Sequence, residues 1–138
     1  MEVIKKDNQY WGFEKKTLSE LQSFSFGLEV SGLFLYNINE FEVSRTVVPQ
    51  DMVKNNEKDL ITDIANTIAT VGKLYPGAVF VIPFENINII ELSPYSQLIR
   101  LYQSGKLPLE LSAEDMYDEL VEFLKEHCPK AKVKKKRA

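Results

Sequence analysis

Very little in this chain is suited to covalent or metal chemistry. It has one cysteine, Cys128, and one histidine, His127. A lone cysteine excludes an internal disulfide and fits a reducing compartment. One His beside one Cys leaves no cluster with the spacing of a structural zinc site. Any nucleophilic scheme that needs an imidazole base must use His127, and neighbours in sequence project in different directions from a helix. The six glycines are scattered, with no Gly-x-x-x-x-Gly-Lys-Ser/Thr loop and no Gly-x-Gly-x-x-Gly fingerprint to cradle a phosphate. A Gly-x-Ser-x-Gly elbow is also missing. No run approaches the roughly 18 apolar residues of a membrane helix. The opening MEVIKKDNQYWGFEKK has no apolar stretch of the kind a secretory signal needs. These absences predict a soluble, cytoplasmic protein without cofactor, bound metal or membrane partner.

What the chain does have is a core. Hydrophobic residues make up 44% of its 138 positions and aromatics 11%. A chain of this length buries about two thirds of its unfolded surface and needs no staple to fold. No repeat or linker divides it, so residues 1–128 read as one globular domain and residues 129–138 as a basic tail.

Glu2–Lys5 and Tyr10–Phe13 read as a hairpin about the polar turn Asp7-Asn8. Thr17-Leu-Ser-Glu20 has the pattern of a capping box and predicts a short helix to about Phe24. Phe24 to Val30 alternates apolar with small or polar residues, Leu33–Tyr36 is a second strand, and Phe41 to Val48 a third, rich in β-branched side chains. Leu60, Ile61, Ile64, Ala65, Ile68, Val71 and Leu74 recur at helical spacing, stopped by Pro76-Gly77. AVFVI, residues 78–82, reads as a central strand covered on both faces. Asn86–Leu92 is a further strand, Ser93-Pro94 predicts a helix through Leu98, Ile99 and Tyr102, and Ser112-Ala-Glu-Asp115 caps a last helix ending near Cys128. The order predicts an α+β fold, mostly antiparallel sheet packed on three to four helices, with a disordered basic C-terminal tail.

Charge is unevenly distributed. Lys130, Lys132, Lys134, Lys135, Lys136 and Arg137 carry six positive charges with no acid among them, leaving 11 bases against 20 acids, a body of −9, in residues 1–128. These six residues are the candidate site for phosphate or an acidic partner, and a nuclear address if the cell is eukaryotic. The acidic body confines nucleic-acid contact to the tail, or itself meets a basic surface on a partner protein.

Other candidates have plainer roles. His127 is placed to meet the carbonyls at the end of its helix and Cys128 to cover the core edge. Tyr10, Trp11 and Phe13 lie near Lys5, Lys6, Lys15 and Lys16, but as strand residues they are expected in the core rather than on a stacking platform. Glu114, Asp115, Asp118, Glu119 and Glu122 read as the solvated face of the last helix. Glu42 and Glu85 are the likeliest acids for metal-assisted chemistry, should the fold bring them together.

The segment from the first helix (17–24) through three strands (24–48), a helix (57–74) and a strand (78–82) has the order α-β-β-β-α-β. In that order it is similar to the core of restriction-endonuclease-like nucleases, which hold a metal with a Pro-Asp and, one strand later, Asp/Glu-x-Lys. Here Glu42 is followed two positions on by Ser44, no acid lies between Leu33 and Asn39, and Glu14-Lys15-Lys16 precedes the first helix. The resemblance is one of element order, without the catalytic residues. The expected function is that of a small, non-enzymatic binding or regulatory protein contacting another protein. The alternative is a metal-dependent phosphoesterase or nuclease-like enzyme built on clustered carboxylates.

Overall fold

The computed structural model describes residues 1–23, 31–50 and 79–136. The first hairpin joins β1 (Glu2–Lys6) to β2 (Gln9–Lys16). Asp7 and Asn8 both take left-handed backbone, φ 53° and 62°, which matches the twist of the strands they connect. The capping box forms as the sequence predicts. The Thr17 hydroxyl accepts the Glu20 N–H at 3.3 Å, and the Glu20 carboxylate accepts the Thr17 N–H at 3.0 Å, opening α1 (Leu18–Gln22).

β3 (Gly32–Ile38), β4 (Glu42–Pro49) and β5 (Val79–Pro83) follow, and the five strands form an antiparallel sheet in the order β1-β2-β3-β4-β5. The sheet is tightest at Gly32, where a Cβ would collide with the Val48 carbonyl. Period-2 alternation sorts the side chains. Tyr10, Phe34, Tyr36, Ile38, Val43, Val47 and Ile82 line one buried face. Trp11, Leu33, Leu35 and Val48 are buried on the other, with Phe13 packed against them. Trp11 and Tyr10 are therefore core residues on opposite faces, not a stacking platform.

The second sheet contains β6 (Ile89–Ser93), β7 (Leu98–Tyr102), β8 (Leu109–Ser112) and β9 (Lys132–Lys135), in the order β8-β7-β6-β9. Its Ile90, Leu92, Ile99, Leu101, Leu109 and Leu111 join the inner face of the first sheet, and α2 (Tyr117–His127) adds Tyr117, Leu120, Val121 and Leu124 to the same core. Each such side chain contributes roughly 1.5–3 kcal/mol by leaving water.

Several expectations are corrected. The fold is mostly sheet, in two sheets, and among the described residues there are two α-helices rather than three to four packed on one sheet. The helix expected after Ser93-Pro94 is a turn over residues 94–97, with Gln97 at φ 55°, leading into β7. Ile99 and Leu101 point inward while Leu98, Arg100 and Tyr102 do not, so a period of two governs the segment. Ser112 ends β8 and does not cap α2, which starts five residues later after a 3-10 turn. Among the described strands, residues 79–83 lie at the edge of the sheet rather than in its centre. β5 pairs with β4 alone among the described strands, and Val81 is 41% exposed. The strand expected at 24–30 and the helix at 57–74 lie outside the described residues.

The disordered tail is corrected as well. Residues 132–135 form β9, parallel to β6, with Lys132 N–H donating to the Asn88 carbonyl at 2.9 Å and Lys136 N–H to the Leu92 carbonyl at 2.7 Å. The segment lacks an apolar stripe of its own, but the unpaired side of β6 offers its main-chain groups the partners that any strand edge provides.

Candidate functional site

The basic residues singled out from the sequence do come together, on a strand at the edge of its sheet among the described strands. Pro129 and Lys130 turn the chain after α2, and Lys132, Lys134 and Lys135 occupy β9 with Lys136 just beyond. All five lysines are exposed, and Arg137 lies outside the described residues. Val133 pairs with Ile90 and Lys135 with Leu92, while Lys132 pairs with Ile89 and Lys134 with Glu91. Because alternate side chains leave opposite faces of a strand, ammonium groups flank the β9 main chain on both sides.

One row of charge crosses the sheet beside the strand. Lys134, Glu91, Arg100 and Glu110 stand opposite one another across β9, β6, β7 and β8. Arg100 donates from Nη1 to Glu91 at 3.0 Å and from Nε to Glu110 at 2.7 Å. These bonds, the Glu91 one foremost, raise the guanidinium's hold on its proton. Lys136 Nζ reaches Glu91 at 3.9 Å. Cross-strand pairs of opposite charge contribute about 0.2–1 kcal/mol each, so the row sets register more than it sets stability. Lys132, Lys134 and Lys135 have no ion pair among the described residues, which leaves most of the strand's charge for something else.

Glu42 and Glu85 share a cleft of about 440 Å³ with Glu40, Phe41 and His127. Register brings them there: Glu42 pairs with Pro83, and Glu85 sits in the 3-10 turn that follows β5. Yet among the described residues no three His, Cys, Asp or Glu side chains stand close enough to share a metal ion. His127 has the plainer role foreseen for it. Its Nδ1–H donates to the Phe123 carbonyl at 2.9 Å, and its ring stacks on Phe123 with centroids 4.1 Å apart. Cys128 is buried, which pushes its thiol up to about 11. Glu14 and Lys16, from the triplet on β2, pair with each other.

A second cleft of about 420 Å³ opens between the sheets, over Phe34, Tyr36 and Arg45. The sequence reading missed Arg45. It is the one basic residue in β4, and its register opposite Tyr36 and Phe80 puts it on the inner face of the sheet. Its guanidinium carbon lies 4.8 Å from the Phe34 ring centroid and 5.4 Å from that of Phe80. Burial lowers its pKa, partly offset by the hydrogen bond with Tyr36 and by Glu14. Phe41 was also missed as a surface residue, although a phenylalanine between two glutamates just after an Asn-rich turn is an uncommon way to begin a buried strand.

No protein-family model matches this chain, and neither does any curated protein or solved structure. No helix among the described residues is long and apolar enough to cross a membrane.

Proposed function

We propose that this is a small, non-enzymatic binding protein that takes an acidic, extended segment of another protein along the edge of β9. The observation that carries the reading is that the basic segment is a strand, with one side of its main chain paired to β6 and lysines on both faces. A strand edge presents a row of N–H and C=O groups, and a partner added as a further strand gains main-chain hydrogen bonds there. The lysines decide which strand is accepted. Two copies of β9 repel each other, as basic edge strands generally do, whereas carboxylates on an incoming strand meet ammonium groups on both faces.

Duplex nucleic acid is the weaker fit. Its charge is spread along a rigid rod, and the −9 of residues 1–128 opposes any footprint wider than the strand. A reducing, cytoplasmic setting, or the nucleus of a eukaryotic cell, suits the single cysteine and the lysine run.

The test is fluorescence anisotropy with a labelled Glu/Val peptide and a labelled DNA duplex of similar size. The wild-type chain should bind the peptide, and Lys132→Glu with Lys134→Glu should weaken binding about tenfold or more. Equal peptide binding by both chains, or by neither, rejects the proposal. Tighter binding of the duplex, with log K falling against log salt at a slope of about −4 to −5 for five neutralised phosphates, would assign the strand to nucleic acid instead.

A further inference from the structure

Phe41 is 77% exposed between β3 and β4. Its backbone is nonetheless firmly held. The Asn39 side-chain oxygen accepts the N–H groups of Phe41 and Glu42, at 2.8 and 3.0 Å. The Phe41 carbonyl accepts the Phe84 N–H at 3.1 Å, which ties the turn to the segment after β5. Asn39 in turn donates to the Asn37 side chain at 3.0 Å, and Asn37 to Gln9 at 3.1 Å, which ties it to β2. The backbone that carries the ring is thus tied to three elements.

A cleft lies on each side of it. The larger, about 440 Å³, is walled by Glu40, Glu42, Glu85 and His127 on a floor of Pro83 and Phe84. The smaller, about 230 Å³, runs along the turn of the first hairpin past Asp7 and Asn39. Among the described residues lining the two clefts there are four acids and no lysine or arginine. Elsewhere Glu14, Glu20, Glu91, Glu110, Glu114, Glu119 and Glu122 are held in ion pairs. Asp7, Glu40, Glu42 and Glu85 form none among the described residues.

We infer that Phe41 and these four acids form a second docking surface, for a basic segment of a partner protein that carries arginine beside apolar side chains. Charge complementarity selects the occupant. A guanidinium laid over the Phe41 ring gains a cation–π contact and brings its N–H groups to Glu40 and Glu42, while an apolar neighbour enters the cleft above Phe84. The backbone that carries the ring needs no ordering on binding, which lowers the entropic cost of using a single aromatic as an anchor. This surface takes the opposite charge from β9 and does not depend on the reading given to that strand.

The probe is a short fluorescein-labelled peptide of alternating arginine and leucine, with an all-lysine peptide of equal charge for comparison. The first should bind the wild-type chain more tightly than the second. Phe41→Ala, which leaves every charge in place, should weaken binding of the first about tenfold. Tyr95→Ala removes an aromatic that is 91% exposed elsewhere and should leave binding unchanged. Lys132→Glu with Lys134→Glu should not lower it, which separates this surface from β9. Circular dichroism of each variant confirms folding, which an exposed side chain does not govern. Equal affinity of the Phe41→Ala and wild-type chains, no binding at all, or equal binding of the two peptides overturns the inference.

Discussion

Cys128 ends α2 with its side chain turned into the core; only 4% of the residue meets solvent. Burial penalises the thiolate, and the thiol rises to about 11. At pH 8 about one molecule in a thousand then carries the reactive form, and that one is shielded. A thiol reagent such as DTNB should react with the native chain at pH 8 at least a hundredfold more slowly than with the chain in denaturant. Comparable rates would mean that the end of α2 opens readily. Residue chemistry of this kind was partly legible beforehand. The places of His127 and Cys128 follow from a helix that must stop at Pro129. Arg45 and Phe41 were not legible, because only the pairing of β4 with its neighbours decides which of its residues face inward, and an exposed phenylalanine follows the same alternation as a buried one.

At the scale of elements, β9 gives the sharpest contrast with what its composition suggests. A lysine run without an apolar stripe reads as a loose chain, and the pairing that orders it is to main-chain groups of a strand some forty residues earlier. The amides of Lys132 and Lys136 donate to Asn88 and Leu92, so hydrogen exchange should protect both relative to Lys130. Unprotected amides at both positions would return the segment to a free tail. Local signals succeeded where their chemistry is self-contained, as in the Asp7-Asn8 hairpin and the Thr17–Glu20 capping box. They failed at Ser93-Pro94, because serine followed by proline opens a helix and a β-turn equally well. The five residues after the turn are too few for a helical period to be told from alternation.

Across the whole molecule, three tyrosines report on what covers the inner face of the five-stranded sheet. Tyr10 donates its hydroxyl to Glu119 at 2.7 Å, Tyr36 lies on the inner face of the five-stranded sheet, and Tyr117 opens α2. Desolvation is the first cause of a raised pKa at each. The sign follows directly. The unfolded phenols titrate at about 10, the folded ones above that, so the native state keeps protons that the unfolded state gives up. Stability is therefore full below pH 10 and declines as pH rises beyond it. Absorbance of phenolate at 295 nm should show these three ionising together with the loss of native Trp11 fluorescence. Their ionisation ahead of that loss would mean that water already reaches the layer between β2 and α2.

The two sheets also differ in how far apart in the chain their partners lie. From β1 to β4 every strand pairs with the one before it in sequence. The parallel pair joins two strands that β7, β8 and α2 separate in sequence, between Ser93 and Lys132. A pairing that spans so much chain loses more loop-closure entropy than one between neighbours, a cost that grows slowly with length. A partner that adds a strand to the lysine-bearing edge therefore depends on a pairing that reaches across β7, β8 and α2, and any variant that loosens that long-range closure dims the edge as well.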